Sequence, residues 1–146
     1  MYERVKKTVF QALDALHIKC GASHTEFKID EKTGEIRLIE TGARMGGDCI
    51  GSDLVRLSTG YDFVKMVIDT GLGKPIDWTK GPSEKAAAVR YIMNEKDLEH
   101  FEELSKGAAD HIVRDSNIHF DGGRSVTDSS TRFGFYILKA ETTEEA

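Results

Sequence analysis

The chain has 146 residues and a formal net charge of −5, with 39% hydrophobic and 31% charged residues. This balance fits one compact globular domain, or one with an appendage, and offers no basic footprint for phosphate backbones or anionic lipid. No apolar run approaches the roughly 20 residues needed to cross a bilayer. The opening MYERVKKTVF is too charged for a secretory segment, so a cytoplasmic location is expected. With only Cys20 and Cys49 there is no disulfide framework. Two buried free thiols are expected, ahead of a metal site built from Cys20, His24 and Cys49.

Residues 2–17 predict an amphipathic helix, with Val5, Val9, Leu13 and Leu16 recurring at three- and four-residue steps. Residues 23–30 switch to period two, with Thr25, Phe27 and Ile29 on one side and His24, Glu26 and Lys28 on the other. After EKTGE, residues 36–41 (IRLIET) predict a second strand. The glycine-rich TGARMGGD leads to a helical stretch around 51–58, a break at Gly60, and a second helix near 61–70. Residues 74–84 form a joint. Beyond it come a strand at 86–93, a helix at 94–107 capped by Asn94 and ended at Gly107, and two strands in HIVRD and 132–140. The polar loop FDGGRSVTDSST separates these last strands, with Asp128 and Arg132 expected in a surface turn. Thr142-Thr143-Glu144-Glu145 carries the spacing of a capping box, a helix start, just before the sequence stops. With a helix that begins at the first residue, this predicts a piece of a longer protein, truncated at its last helix.

The turn between the two N-terminal strands fixes which side chains meet. A three-residue loop, Lys32-Thr33-Gly34, or a five-residue loop, 31–35, places Asp30 opposite Ile36, Lys28 opposite Leu38 and Glu26 opposite Glu40. On the reverse face Phe27 meets Ile39 and Thr25 meets Thr41. Like charges placed directly opposite destabilise a sheet unless a cation bridges them. Facing carboxylates are hard oxygen donors of the kind Mg²⁺ accepts, with phosphates completing its shell. Arg44 lies four residues past Glu40, where the strand is expected to have broken at Gly42, and a guanidinium there suits a phosphate or carboxylate. Gly46 and Gly47 allow a ligand close to the backbone. Glutamates pointing to water on an exposed face are the equally weighted alternative.

His24-Thr25-Glu26, Leu38-Ile39-Glu40-Thr41-Gly42-Ala43-Arg44 and Gly46-Gly47 together resemble the C-terminal part of the ATP-grasp ligases, most of all the L-amino-acid ligases and phosphoribosylamine–glycine ligase-like branch. The likeness is specific over 23–48, looser through 51–73, and returns at RFGFYILKAETTEEA. It implies an α+β fold: an antiparallel sheet including the 23–41 hairpin, flanked by helices 2–17 and 51–70, as the C-terminal subdomain of an ATP-grasp domain (1–73), joined through 74–84 to a small strand–helix–strand unit (85–146). It implies ATP and Mg²⁺ (or Mn²⁺) as cofactors, with Glu26 and Glu40 as metal ligands, Arg44 as the catalytic, phosphate-stabilising residue and Gly46 and Gly47 in cofactor binding. Two departures stand out. Many relatives carry an asparagine ligand where this chain has Gly42, and the family's N-terminal domains and phosphate-covering lysines have no counterpart here.

The function implied is that of a fragment of an ATP-dependent carboxylate–amine ligase, in which ATP phosphorylates a carboxylate and an amine then attacks the acyl phosphate to give an amide. Its partners would be small carboxylate and amine substrates and the N-terminal domains of the same polypeptide, with no nucleic acid and no membrane. The isolated chain is expected to be inactive. His24 is a possible substrate contact, second to a packed or solvated role, and Asp48 is expected to cap the following helix. A bicarbonate-using or carbamoyl-phosphate-type enzyme and a non-catalytic binding module are the alternatives.

Overall fold

A computed structural model of the chain describes residues 1–83 and 86–142. The chain forms two compact units, one of Met1–Gly51 and Phe63–Trp78, the other of Ser52–Asp62 and Thr79–Ala146. Among the described residues no helix is long and apolar enough to cross a membrane.

The first unit opens with α1 (Tyr2–Ala15), whose half-buried stripe is Val5, Thr8, Val9, Ala12 and Leu13. Leu16, expected on that stripe, lies beyond the last turn and is 55% exposed. The helix stops there because His17 turns left-handed (φ 56°), with Ile18 N–H donating to the Leu13 carbonyl and His17 N–H to that of Asp14. This is a Schellman ending with histidine in the place where glycine is usual, which is why the sequence pattern overran it.

Two strands, β1 (His24–Ile29) and β2 (Ile36–Gly42), form an antiparallel ribbon that makes a sheet of its own. Their alternation sends Thr25, Phe27 and Ile29 to a half-buried side and leaves Glu26 and Lys28 exposed. Helix α1 packs on β2. Residues 50–54, expected within an α-helix, instead form a π-helical turn (Ile50–Leu54) that runs into α2 (Val55–Thr59), and Gly60 (φ 78°) ends α2. The next helix, α3 (Phe63–Gly71), buries Met66 and Asp69, the latter in an ion pair with Lys65. Helices across 51–70 were expected to flank the hairpin's sheet; α2 instead belongs to the second unit and contacts its strand β3 (Ala86–Ile92).

The second unit holds a three-stranded sheet in the order β3-β5-β4, with β4 at Ile112–Asp115 and β5 at Gly134–Ala140. Both outer strands run antiparallel to β5, so the strand–helix–strand unit through α4 (Glu95–Gly107) is split by the final strand. Helix α4 starts as expected: the Asn94 side chain accepts from Asp97 N–H, and the Asp97 carboxylate accepts from Asn94 N–H. Its apolar residues Leu98, Phe101 and Leu104 cover Tyr136 and Leu138 of β5 and Ile92 of β3. Burial of β5 on both faces explains its unbroken apolar run. Asp128 caps a short 3₁₀ turn, Ser129–Thr131, as an exposed loop residue. Arg132 departs from its expected surface position, because its guanidinium stacks 3.8 Å over the Tyr91 ring and its Nε is buried. The capping box reaches residues 143–145, which lie outside the described residues.

Candidate functional site

The hairpin does bring Glu26 and Glu40 together, by a different route from the one expected. The loop is neither three nor five residues long: Asp30 pairs with Glu35, whose carbonyl accepts from Asp30 N–H at 2.9 Å, and residues 31–34 form the turn. Gly34 takes the left-handed position there (φ 69°). The Asp30 carboxylate accepts from Thr33 N–H at 2.8 Å and Lys32 N–H at 2.9 Å, and these backbone bonds hold its carboxyl below the usual aspartate range. Counted outward from this turn, Ile29 pairs with Ile36, Lys28 with Arg37 and Phe27 with Leu38, which replaces the expected Asp30–Ile36, Lys28–Leu38 and Phe27–Ile39 pairs.

A straight ladder from that turn would set Glu26 against Ile39 and send Glu40 to the opposite face. A β-bulge prevents this. The register shifts between Glu26 and Phe27, Ile39 is the surplus residue, and Glu26 pairs directly with Glu40 and Thr25 with Thr41. Directly opposed residues project from the same face, with Cβ atoms roughly 4.5–5.5 Å apart. Both glutamates are exposed. On the reverse face the Thr25 and Thr41 hydroxyls sit 3.4 Å apart.

Arg44 stands beside the pair. Its Nη2 lies 3.7 Å from Glu40 Oε1, and its Nη1 donates to the Met45 carbonyl at 2.8 Å. Both partners of the ion pair are more than half exposed (58% and 61%), so the contact is weakly held and the guanidinium can be drawn to an incoming anion. The Arg44 stem passes over Gly42, where an added Cβ would touch Arg44 Cγ at 3.5 Å. A side chain at 42 would therefore begin in ordinary contact with the Arg44 stem.

The two loop glycines differ. A Cβ on Gly46 would strike His24 Cδ2 at 2.9 Å and Ile50 Cβ at 3.0 Å, so this glycine makes room for the protein's own packing. A Cβ on Gly47 meets nothing within 4 Å, which leaves that backbone open to a ligand. His24, on the glutamate face by alternation, is half-buried against the loop. Next come Asp48 (φ 50°) and Cys49 (φ 63°), two consecutive left-handed residues without glycine, a strained turn of the kind found at functional loops. The left-handed backbone of Asp48 is not the extended conformation of an N-cap. Cys20 is exposed and Cys49 half-buried, neither in a disulfide, so the expected pair of buried thiols is not found.

The donor set fits a hard divalent cation. Two carboxylates share one exposed face, and among the described residues no three His, Cys, Asp or Glu side chains gather in ligand geometry, the Cys20, His24 and Cys49 set included. Mg²⁺ is bound in this way when one or two carboxylates hold it and phosphate and water oxygens complete its octahedron. The sequence carried no signal for the bulge at Ile39 or the left-handed pair at Asp48 and Cys49. The ion pair of Arg44 with Glu40 is not given by their four-residue spacing, since one lies in a strand and the other in a loop.

No family model matches the chain. Over 76 residues it is 30% identical to the carbamoyl phosphate synthase large chain of Thermotoga neapolitana, and 29% identical to that of Thermotoga petrophila. These segments make up 52% of this chain, which spans 7% of the length of the curated relatives it matches. In fold it is similar to the crystal structure of phosphoribosylglycinamide synthetase from Anaerococcus prevotii (TM-score 0.74, 20% identity, 99% of this chain and 38% of that one). It is also similar to the L-amino acid ligase from Bacillus licheniformis (TM-score 0.71, 26% identity, 97% of this chain and 38% of that one). The α+β architecture of antiparallel sheets flanked by helices is the one these neighbours share. In sequence and in fold the chain is similar to ATP-grasp ligases.

Proposed function

We propose that the chain is the metal-holding and phosphate-stabilising part of an ATP-dependent carboxylate–amine ligase. The observation that carries this reading is the direct pairing of Glu26 with Glu40 on an exposed face, with the Arg44 guanidinium 3.7 Å from Glu40. Glu26 and Glu40 would hold Mg²⁺ or Mn²⁺, which supplies charge neutralisation at the ATP phosphates when bound. Arg44 leaves its exposed pair with Glu40 and forks onto the phosphoryl oxygens, where charge builds during formation and breakdown of an acyl phosphate. Gly47 gives the phosphate access to the backbone, while His24, seated where Gly46 lacks a side chain, keeps the loop in place. Phosphoryl transfer depends mostly on such positioning and charge compensation.

The test is Mn²⁺ binding to this chain in the presence of ATP, followed by electron paramagnetic resonance. Saturable binding is expected, and it should be lost in Glu26→Gln and in Glu40→Gln. Binding that survives both substitutions would favour a non-catalytic module whose acidic ribbon has no metal role.

A second reading rests on the similarity to carbamoyl phosphate synthase large chains over 52% of the chain. It keeps the hairpin chemistry and replaces the carboxylate substrate by bicarbonate. ADP release from the parent polypeptide with amino acids alone, or with bicarbonate alone, separates the two.

A further inference from the structure

The two units treat their apolar side chains differently. Among the described residues, every buried hydrophobic side chain except Met66 belongs to the second unit, while Tyr2, Phe10, Leu16, Leu38 and Ile39 of the first are 40% to 74% exposed. The ribbon of β1 and β2 is a sheet of two strands, a form that is marginal by itself and gains from added strands. The second unit guards its sheet edges: β4 is four residues long with a shifted register, and α2 lies against β3. Strand β1 has no such guard. It holds no proline, the bulge loops out a residue of β2 rather than its own, and among the described residues no backbone hydrogen bond reaches it from a segment other than β2.

The backbone of β1 sets the register of an added strand. Asp30 N–H donates to the Glu35 carbonyl and the Asp30 carbonyl accepts from Gly34 N–H, so Asp30 turns its backbone groups toward β2. By alternation Lys28 and Glu26 do the same, and Ile29, Phe27 and Thr25 turn theirs outward. A second β1 laid antiparallel along this edge, centred on Phe27, would meet those outward groups with its own. In that register Phe27 faces Phe27 of the partner, and Thr25 faces the partner's Ile29. On the exposed face Glu26 falls opposite the partner's Lys28, and Lys28 opposite the partner's Glu26. Within one chain neither Glu26 nor Lys28 has an ion pair among the described residues, so both charges are available. Sliding the centre to Glu26 or to Lys28 would set like charges face to face, which a sheet disfavours. The sequence of β1 is thus complementary to itself in one register.

We infer that two copies of this chain join edge to edge through β1, two-fold about Phe27, into a four-stranded sheet in the order β2-β1-β1-β2. The inference does not rest on the ligase reading: it needs neither metal nor nucleotide, and Glu40 and Arg44 take no part in the contact.

Sedimentation equilibrium of the whole chain from micromolar to millimolar concentration, without metal or nucleotide, tests it alongside nuclear magnetic resonance. A monomer–dimer equilibrium is expected, with concentration-dependent shifts centred on the outward amides of Thr25, Phe27 and Ile29. Lys28→Glu, at an exposed side chain, turns both cross-strand attractions into repulsions and should weaken association roughly tenfold or more while the spectrum stays native. Glu26→Lys should do the same, and the doubly exchanged chain, Glu26→Lys with Lys28→Glu, should dimerise again. A monomer throughout the range overturns the inference and leaves the Mn²⁺ titration to decide the ligase reading separately. A dimer whose shifts fall away from β1, or one that both single charge substitutions leave unchanged, overturns it too. So does a doubly exchanged chain that stays monomeric, because recovery of the pair is what the register requires.

Discussion

Glu26→Gln separates a metal site from an ordinary acidic surface, because its two expected effects have opposite signs. Glu26 faces Glu40 directly, and of the two only Glu40 has an ion pair among the described residues. Like charges so opposed destabilise a ribbon by roughly 0.2–1 kcal/mol, consistent with about 1 kcal/mol for unit charges 4 Å apart in water. Removing the Glu26 charge should therefore slow amide exchange across the ladder by about 1.4- to 5-fold at low salt, where exchange reports local opening. The gain should fade in 1 M salt, where screening acts over about 3 Å. Glu40→Gln removes the same repulsion but also the exposed contact with Arg44, worth about 0–1 kcal/mol, so its exchange should barely change. Both variants should lose Mn²⁺ binding. Hydrogen exchange read by nuclear magnetic resonance measures the first effect and paramagnetic titration the second. Faster exchange in Glu26→Gln at low salt, or an effect that persists in 1 M salt, would refute the facing-charge geometry.

Three further outcomes follow from particular contacts. Gly42→Asn adds an oxygen donor beside the glutamates, its Cβ in ordinary contact with the Arg44 stem, and Mn²⁺ affinity should rise several-fold in the same titration; weaker binding would show that the added side chain displaces Arg44 instead. Gly134→Ala puts a methyl 2.8 Å from Ile118 Cγ1 and Ser116 Oγ at φ 150°. It should cost about 1–3 kcal/mol, lowering the thermal midpoint by several degrees. For Asp30 the folded-state pKa lies below the unfolded one, so its support of the turn is complete above the ordinary aspartate value. That support is lost as pH falls through the lower folded value. Protection of the Thr33 and Lys32 amides, measured against their intrinsic exchange rates at each pH, should fall in that acid range, and Asp30→Asn should flatten the dependence.

Local signals were legible wherever one residue type has one physical use. Asn94 and Gly60 announced a helix start and a helix stop, and period-two alternation placed Glu26 and Lys28 on the exposed side of β1. Failures came where a residue did something its type seldom does. His17 took the left-handed position that usually marks glycine, and Asp48 and Cys49 did so in tandem, so neither turn could be read from composition. The Glu26–Glu40 pairing was foreseen through two errors that cancelled: a turn of the wrong length and an unforeseen bulge at Ile39. Arg132 was misplaced because stacking on Tyr91 depends on two distant segments meeting.

The surplus isoleucine in β2 has a consequence for finding kindred hairpins. What the ribbon preserves is parity, both acids emerging on one side, and either a straight strand or a strand with one residue looped out satisfies it at different separations along the chain. A pattern that fixes the interval between the two acids would discard proteins presenting the same pair, and accept others whose acids point apart. A criterion based on cross-strand partnership, tolerant of a single inserted residue, would recover them.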